Sequence, residues 1–225
     1  MTNLSVLDID ATLQQIFELQ SAGCDIVRIA LPNSQSVEAF AKVRAQTDMP
    51  LVADIHFDYR LAIGGIEAGA DKIRINPGNV PQEHLDKVID CAKAHNVAIR
   101  LGVNGGSVNK AYLDRFDGDK QLALVQSLRD YTTYFEQRNF DNLVLSVKSS
   151  DIRQTIALNK AIATLGYPLH LGVTEAGLLH QGLVKNAIGI AGANGGYILF
   201  KHGQVFKRIQ GENPLQQFIE EVNKL

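Results

Sequence analysis

The sequence predicts an α/β protein whose framework is an incomplete (β/α)8 barrel. Along its 225 residues, six short β-branched runs alternate with amphipathic stripes at helical spacing, which is typical of a parallel sheet covered by helices. Nearly every predicted strand ends in a charged or polar side chain, as expected where all strand ends surround one pocket. An open sheet would gather such residues at one switch point. Because a full barrel typically uses eight strands and about 250 residues, the six predicted strands leave two unaccounted for.

The predicted strands follow one another at the spacing of a βα repeat. They cover Asp25–Leu31, Leu51–His56, Lys72–Asn76, Val97–Val103, Asn142–Lys148 and Leu169–Thr174.

The predicted helices are marked by apolar residues at helical spacing and by residues suited to helix starts. The apolar stripes run over Leu7–Leu19, Val37–Val43 and Leu85–Ala92. We expect Ser34 and Pro81 at the starts of two helices, and Asp151 as the cap of the helix after the fifth strand.

The composition changes after Ile188, where glycine becomes frequent. Two strand-like runs, Tyr197–Lys201 and Gln204–Ile209, flank a His-Gly pair and predict a β-hairpin. Pro214 then opens a last amphipathic helix. The sequence therefore predicts a barrel over residues 1–188 and a smaller hairpin-plus-helix unit over residues 189–225.

The charge balance excludes bulk attraction to nucleic acid or membrane, because the formal net charge is −2 and the pI is about 6.3. The chain has no apolar run of membrane-spanning length and no leader at its start, so we expect a soluble, cytoplasmic protein. Any anion site must come from a local cluster of basic residues.

Four basic residues lie inside apolar strands, each near a carboxyl end: Arg28, Arg74, Arg100 and Lys148. A buried cation is costly unless it meets an opposite charge. One such residue would suggest a structural ion pair, whereas four on different strands predict a shared anion site. Since guanidinium groups match phosphate oxygens, the expected ligand is a small molecule that carries a diphosphate.

Other polar residues at the strand ends are candidates for the same pocket. Asp54 and His56 face the same side of one strand and form either an acid–base pair or a structural bridge to an arginine. Asn76 and Asn104 follow the strand arginines and could bind oxygen atoms, although Asn104 equally suits a plain turn. Thr174 and Glu175 end the last strand, where Glu175 is either an acid–base group or a helix cap.

The remaining histidines and the two cysteines carry less signal. We interpret His170, early in its strand, as a core residue. Cys24 and Cys91 stand alone in the sequence and are expected to be small buried side chains. Two thiols cannot complete a four-iron cluster, which takes four protein ligands, so no metal site is expected.

Six strings resemble, in order, the barrel of the 4-hydroxy-3-methylbut-2-enyl diphosphate synthase family. They are GCDIVRIALP, PLVADIHFDYRLA, IRINPGN, IRLGVNGGS, LSVKSSD and PLHLGVTEAG, and the resemblance runs from about Met1 to Ile188. It implies an oxidoreductase of isoprenoid (terpenoid) biosynthesis by the methylerythritol phosphate route. The family opens the ring of 2-C-methyl-D-erythritol 2,4-cyclodiphosphate reductively, with electrons from ferredoxin or flavodoxin and a four-iron (4Fe-4S) cluster.

The resemblance also implies roles for the strand-end residues. The residues implied to bind the diphosphate are Arg28, Arg74, Arg100 and Lys148. Those implied to line the substrate are Asp54, His56, Asn76, Asn104, Thr174 and Glu175, of which Asp54, His56 and Glu175 are the predicted catalytic residues.

The departures from the family pattern are specific. Most of the first strand is absent, the eighth strand does not follow Ile188, and the cysteine strings that hold the cluster do not occur. Ile188–Leu225 instead resembles the end of the family's cluster domain, which suggests an internal deletion. No cluster is therefore expected in this chain.

Three functional hypotheses follow. The chain is a synthase barrel that binds the cyclic diphosphate but needs a full-length chain, as a dimer partner, to complete the site. Alternatively, it is a non-catalytic protein that binds a diphosphate metabolite, or a fragment without function. A resemblance to pterin-binding barrels is weaker, because the DIHFDYR and RINPGN strings suit the isoprenoid enzyme better.

Overall fold

The computed structural model describes residues 1–56, 58–175, 190–193, 196–201 and 204–210, of which residue 107 and the residues from 190 onward are described by their backbone alone. The chain divides into two compact units. The first comprises Met1–Val147 and Leu158–His170, and the second comprises Lys148–Ala157 and Leu171–Leu225. The predicted boundary near residue 188 stays a prediction.

The core of the first unit is a five-stranded sheet with strand order β1-β2-β3-β4-β5. The strands are β1 (Val27–Ala30), β2 (Leu51–Asp54), β3 (Lys72–Ile75), β4 (Ala98–Asn104) and β5 (Leu143–Lys148). The pairs from β1 to β4 are parallel, so the predicted α/β class is confirmed. All four residues of β2 are buried, as expected for a strand covered on both faces.

The predicted sixth strand is wrong in extent. Leu169 forms one isolated parallel bridge with Leu145, and residues 170–175 are not in a strand. Gly172 falls inside the predicted run, and a glycine without a side chain to pack weakens a strand. The residues from Leu169 onward have the composition of a strand, but their pairing with β5 is limited to the bridge at Leu169.

In the described part of the chain, one α-helix precedes β1 and six lie between or after the strands of this sheet: α1 (Ile9–Ser21), α2 (Ser34–Arg44), α3 (Tyr59–Glu67), α4 (Gln82–His95), α5 (Lys110–Arg115), α6 (Lys120–Glu136) and α7 (Ile152–Ala163). Helix α2 begins at Ser34 as predicted, and Asn33 is its cap, with its side chain accepting a hydrogen bond from the amide of Ser36. Asp151 caps α7 as predicted, since its Oδ1 accepts a hydrogen bond of 2.8 Å from the amide of Gln154.

The apolar side chains of the predicted helical stripes are buried between the helices and the sheet. Helix α4 buries Leu85, Val88, Ile89 and Ala92, which are the predicted residues. Helix α1 buries Leu13 and Ile16, whereas Leu7 precedes the helix and is exposed. The core that results fixes the strands whose carboxyl ends carry the polar residues.

The expected burial of the cysteines is wrong. Cys24 is exposed and Cys91 is half-buried, and both are free thiols. Cys24 lies in the turn between α1 and β1.

The second unit contains a three-stranded antiparallel sheet with strands β6 (Ile190–Ala193), β7 (Gly196–Lys201) and β8 (Gln204–Gln210). The predicted hairpin is therefore confirmed. Strand β6 was missed because its sequence, IAGA, contains glycine and alanine, which favour strands little. The predicted helix after Pro214 lies outside the described residues. No helix in the described part of the chain has the length and apolar character needed to cross a membrane.

Candidate functional site

The register of the sheet aligns the predicted strand-end residues. Asp54 on β2 lies opposite Arg74 on β3, and Arg74 lies opposite Arg100 on β4. Arg28 stands two residues before Ala30, which is opposite Asp54, so its side chain points to the same face. Because neighbouring strands are about 4.8 Å apart, four ionisable side chains meet on one face of the sheet. We call Arg28, Asp54, Arg74 and Arg100 the arginine cluster.

One carboxylate serves more than one arginine in this cluster. Asp54 is 3% exposed, and its Oδ2 lies 3.5 Å from Nε of Arg28, while its Oδ1 lies 3.6 Å from Nη1 of Arg74. Both distances are ion-pair separations longer than an ordinary hydrogen bond. Asp54 Oδ1 accepts no hydrogen bond from the described residues. The carboxylate therefore keeps unused acceptor capacity at the centre of the cluster.

His56 lies beside both members of one of these pairs. Its Nδ1 is 3.1 Å from Nη1 of Arg74, and its Nε2 is 3.8 Å from Oδ2 of Asp54. The side chain is 56% exposed, so it reaches from the buried cluster toward solvent. The predicted bridge from Asp54 to an arginine is thus present, whereas 3.8 Å is too long for a hydrogen bond, and the acid–base pairing of Asp54 with His56 stays a prediction.

Arg100 is the most deeply buried arginine of the cluster, at 2% exposure. Its Nε has no hydrogen-bond partner among the described residues. Burial lowers the pKa of Arg100 to about 10; repulsion from Arg28 and Arg74 acts in the same direction, and Asp54 opposes it. Burial likewise lowers the pKa of Arg74, against the attraction of Asp54. An anion bound beside them would raise both pKa values again, because an opposite charge favours the protonated guanidinium.

The cluster carries more positive than negative charge. Among the described residues, the carboxylate of Asp54 pairs with Arg28 and Arg74, and Arg100 feels its charge without an ion pair. Lys72, two residues before Arg74, has a side chain on the same face of β3, and burial followed by repulsion from Arg100 lowers its pKa. Lys72 was not predicted as a site residue, although its spacing of two residues from Arg74 was the available signal in the sequence. An excess of buried cations is a physical basis for anion binding.

A glycine makes room for one of the guanidinium groups. A Cβ atom placed on Gly102 of β4 would lie 3.3 Å from Nε of Arg74. Such a contact is tighter than side chains normally adopt, so Arg74 would have to move by a few tenths of an ångström. Glycine in a strand often marks a close approach of this kind.

The predicted asparagines occupy different environments. Asn76 is 5% exposed and caps a short 3-10 helix over Pro77–Asn79. Its Oδ1 accepts a hydrogen bond of 3.2 Å from the amide of Gly78. Asn104 is the last residue of β4 and is half-buried; it precedes a second 3-10 turn over Gly105–Ser107 without capping it. The turn role is thus observed for Asn76, and ligand binding by either residue stays a prediction.

Lys148, Thr174 and Glu175 belong to the second compact unit. Lys148 ends β5 and is half-buried. The amide of Thr174 donates a hydrogen bond of 3.1 Å to the carbonyl of Ser149. Glu175 is exposed and has a φ of 49°, which is uncommon for a residue other than glycine. Their predicted roles in binding and catalysis stay predictions.

His170 was interpreted as a core residue, and that interpretation is wrong. It is half-buried, and both of its ring nitrogens lie 3.1 Å from Nη1 of Arg100. The contact joins residues 70 positions apart, so the local sequence held no direct signal for it.

The described residues contain no group of three or more His, Cys, Asp and Glu side chains arranged to hold a metal ion. Cys24 is exposed in a turn, and Cys91 lies on α4 with its Sγ 3.8 Å from Nδ1 of His95. With two cysteines in the whole chain, the thiol ligands present do not fit a four-iron cluster, which takes four.

The profile of the family described as the GcpE TIM-barrel domain matches residues 1–194 of the chain. Together with the parallel sheet and alternating helices, this match confirms the predicted barrel class.

Two curated relatives carry the name 4-hydroxy-3-methylbut-2-en-1-yl diphosphate synthase (flavodoxin). The one from Natranaerobius thermophilus is 46% identical over 192 residues, which are 84% of this chain and 54% of the relative. The one from Nitratidesulfovibrio vulgaris is 45% identical over 192 residues, which are 84% of this chain and 50% of the relative. The chain thus spans about half the length of the curated relatives it matches.

Solved structures with a similar fold include dihydropteroate synthase from Xanthomonas albilineans in complex with 7,8-dihydropteroate. The TM-score is 0.57 at 16% identity, over 80% of this chain and 74% of that one. At this identity the likeness shows the fold alone.

Proposed function

The chain belongs to the GcpE TIM-barrel domain family, and from this premise we propose that its arginine cluster binds the diphosphate of 2-C-methyl-D-erythritol 2,4-cyclodiphosphate. The observation that carries the proposal is the charge of the cluster, where Asp54 is the one carboxylate beside three buried or half-buried arginines among the described residues and pairs with two of them. Planar guanidinium groups bind phosphate oxygens through paired hydrogen bonds. A bound diphosphate would supply the negative charge that the cluster lacks.

In this proposal the arginines hold the anion and the neighbouring polar groups hold the carbon skeleton. Asp54, whose Oδ1 has no hydrogen-bond donor among the described residues, accepts a hydrogen bond from a substrate hydroxyl. His56, which extends from the cluster to solvent, acts with it as a proton carrier. Asn76 and Asn104 contact substrate oxygens, Lys148 and Thr174 add to diphosphate and substrate binding, and Glu175 acts as the acid–base group of the ring-opening reaction.

The reductive step needs a four-iron cluster in the family, and that group would supply the electrons for removal of a hydroxyl. The two cysteines of this chain do not fit it. We therefore propose that this chain binds the substrate and that turnover requires a second, full-length chain in a dimer. The curated relatives' names include flavodoxin, and we propose flavodoxin, or ferredoxin as predicted, as the electron donor. A cytoplasmic location belongs to the same proposal, consistent with two free thiols.

The second candidate function is binding without catalysis, and the shortage of thiol ligands favours it. The two functions differ in one observable. If the chain forms a dimer with a full-length relative, the mixture of the two chains would show turnover. If the chain only binds, it would retain the diphosphate without turnover in any mixture.

Isothermal titration with the cyclic diphosphate tests the shared part of both functions. We expect micromolar binding by the unaltered chain and binding about 10- to 150-fold weaker by Arg100→Ala, because the loss of one hydrogen-bonded charge costs about 1.5–3 kcal/mol. The matched control is Arg138→Ala, since Arg138 pairs with Asp86 outside the cluster. Unchanged affinity of Arg100→Ala, or no binding by the unaltered chain, would refute the proposed site.

A further inference from the structure

We propose that a cavity between α4, α5 and α6 binds a small organic ammonium ion, in which a positively charged nitrogen carries alkyl groups. The cavity has a volume of about 370 Å³, which is in the range of small-molecule pockets. Its walls come from these three helices and from the turn that follows β3. None of the described residues that line it belongs to the arginine cluster, so this site is independent of the proposed anion site.

One part of the cavity wall is a carboxylate with acceptor capacity left over. Asp130 on α6 accepts hydrogen bonds at Oδ2 from Oη of Tyr112 at 3.1 Å and from Nη1 of Arg115 at 3.4 Å. Its Oδ1 accepts one from Nε2 of Gln126 at 2.6 Å. Because a carboxylate has about four acceptor sites, Oδ1 can accept a further contact beyond those from the described residues. The Arg115 side chain is 61% exposed, so solvent screens its charge.

Two phenol rings stand beside this carboxylate. Tyr112 on α5 and Tyr131 on α6 both line the cavity, with ring centroids 6.5 Å apart and ring planes inclined at 48°. Burial and then the charge of Asp130 raise the pKa of Tyr131. Burial, followed by the hydrogen bond to Asp130 and its charge, raises the pKa of Tyr112. Both rings thus lie in the field of a negative charge, and since the face of an aromatic ring is itself negative, this part of the cavity favours a cation.

A neighbouring tyrosine–aspartate pair shows how the chain completes such an arrangement. Oη of Tyr134 donates a hydrogen bond of 2.6 Å to Oδ1 of Asp86. Arg138 pairs with the same carboxylate, and its guanidinium carbon lies 3.5 Å from the centroid of the Tyr134 ring. One cation thus contacts both the aspartate and the aromatic ring of this pair.

The pair of Tyr112 with Asp130 has the same hydrogen bond but a different cation contact. Arg115 reaches the carboxylate of Asp130, yet its guanidinium lies over the ring of Phe116, with 5.4 Å to the centroid. Among the described residues, no Lys or Arg side chain lies over the ring of Tyr112 or of Tyr131. An ammonium ion in the cavity would supply that ring contact.

The rest of the wall is largely apolar and indicates which kind of cation fits. Pro77 and Leu85 line the cavity and are buried, and Val80 lines it and packs against the hydrophobic core. Gly78 adds backbone without a side chain. Alkyl groups gain free energy when they leave water for such a surface, whereas an inorganic cation has no apolar surface to bury. The cavity therefore favours an alkylammonium ion.

Isothermal titration of the full chain with choline, a quaternary ammonium ion, tests the site. We expect a dissociation constant of about 1 mM or below. The matched probe is the neutral alcohol in which a carbon atom replaces the nitrogen of choline, and it should bind about fivefold more weakly or worse, because it lacks the cation–π contact. Equal binding of the two probes, or no binding of choline, would overturn the inference.

Two substitutions separate the charge from the ring contact. Asp130→Asn keeps an acceptor for Tyr112 and removes the charge, so it should weaken choline binding about threefold or more and leave the neutral alcohol unaffected. Tyr131→Leu removes a ring and should weaken choline binding about fivefold or more, whereas Tyr131→Phe keeps the ring and should stay within about twofold of the unaltered chain. Tyr167→Leu is the matched control, because Tyr167 bonds to Glu136 outside the cavity.

Unchanged choline affinity in either Asp130→Asn or Tyr131→Leu would refute the site, as would an equal loss in Tyr167→Leu. Asp130→Asn preserves the side-chain volume at a side chain that is 36% exposed, so it remains informative even if Tyr131→Leu fails to fold. Sedimentation of the chain with phosphatidylcholine vesicles, reversed by choline, would assign the ammonium to a lipid headgroup, and no sedimentation would assign it to a free amine. Choline binding without diphosphate binding would refute the proposed function alone.

Discussion

Four arginines outside the sheet and the arginines in the cluster meet their carboxylates in different ways. Each of these four outer arginines has a carboxylate of its own, in the pairs Arg44–Asp71, Arg60–Asp58, Arg115–Asp130 and Arg138–Asp86. In the cluster, Arg28 and Arg74 both pair with Asp54, and Arg100 has no carboxylate within ion-pair distance among the described residues.

The difference separates a structural use of arginine from a functional one. The outer pairs are matched in charge and at least partly exposed to solvent, and surface pairs contribute about 0–1 kcal/mol each. The cluster is unmatched and buried, which costs stability until an anion binds. A sequence position alone does not distinguish the two uses; the number of carboxylates that each guanidinium reaches does.

The largest expected effect comes from the removal of the shared carboxylate. Asp54→Asn leaves the buried arginines without their counter-charge and should lower the free energy of unfolding by about 3–5 kcal/mol. Urea denaturation followed by circular dichroism measures the loss. Because excess positive charge causes this loss, saturating diphosphate should raise the free energy of unfolding of Asp54→Asn by more than it raises that of the unaltered chain. An unchanged urea midpoint would show that repulsion among the arginines does not destabilise the folded chain.

A smaller effect of opposite sign is expected at Arg100. Arg100→Met keeps much of the side-chain volume and removes a buried cation that has no carboxylate of its own, so the free energy of unfolding should rise by about 1 kcal/mol or more. The same variant should lose diphosphate affinity. Thermal unfolding and titration, performed on one preparation, would show whether stability and binding change in opposite directions. A loss of stability would contradict the contrast between the two regions.

The smallest effect is expected for an outer pair. Arg60→Ala breaks the pair with Asp58, whose carboxylate has a pKa lowered by the hydrogen bonds from Arg60. Arg60 is on the solvent side of α3 with a side chain 75% exposed, so solvent and salt screen the pair. We expect a thermal midpoint close to that of the unaltered chain and unchanged diphosphate affinity. A loss of affinity comparable to that of Arg100→Ala would mean that the site extends to α3.

Much of the fold and part of the candidate site followed from the sequence. The strands β1 to β5 were predicted because buried parallel strands read as continuous apolar runs, and the cations inside those runs identified Arg28, Arg74 and Arg100. The sequence could not indicate that Asp54 serves two arginines, since this depends on the register of three strands. It misassigned His170, because the partner of His170 lies two strands away and 70 residues earlier.

The sixth strand shows another limit of sequence patterns. LHLGVT has the composition of a strand, yet only Leu169 forms a bridge, because a strand is defined by the backbone that it pairs with as well as by its own residues. Similarly, IAGA has little strand propensity and becomes β6 through its pairing with β7. Propensity describes one chain segment, whereas pairing requires two.

The space above Gly102 has a consequence for how variants of this chain should be judged. Alanine is compatible with a β-strand, so the backbone of β4 gives little reason to demand glycine there, but a methyl group would press on Nε of Arg74 at 3.3 Å. A mutational screen that scores only the yield of folded protein would therefore accept a larger residue at this position. A screen that scores ligand capture would reject it.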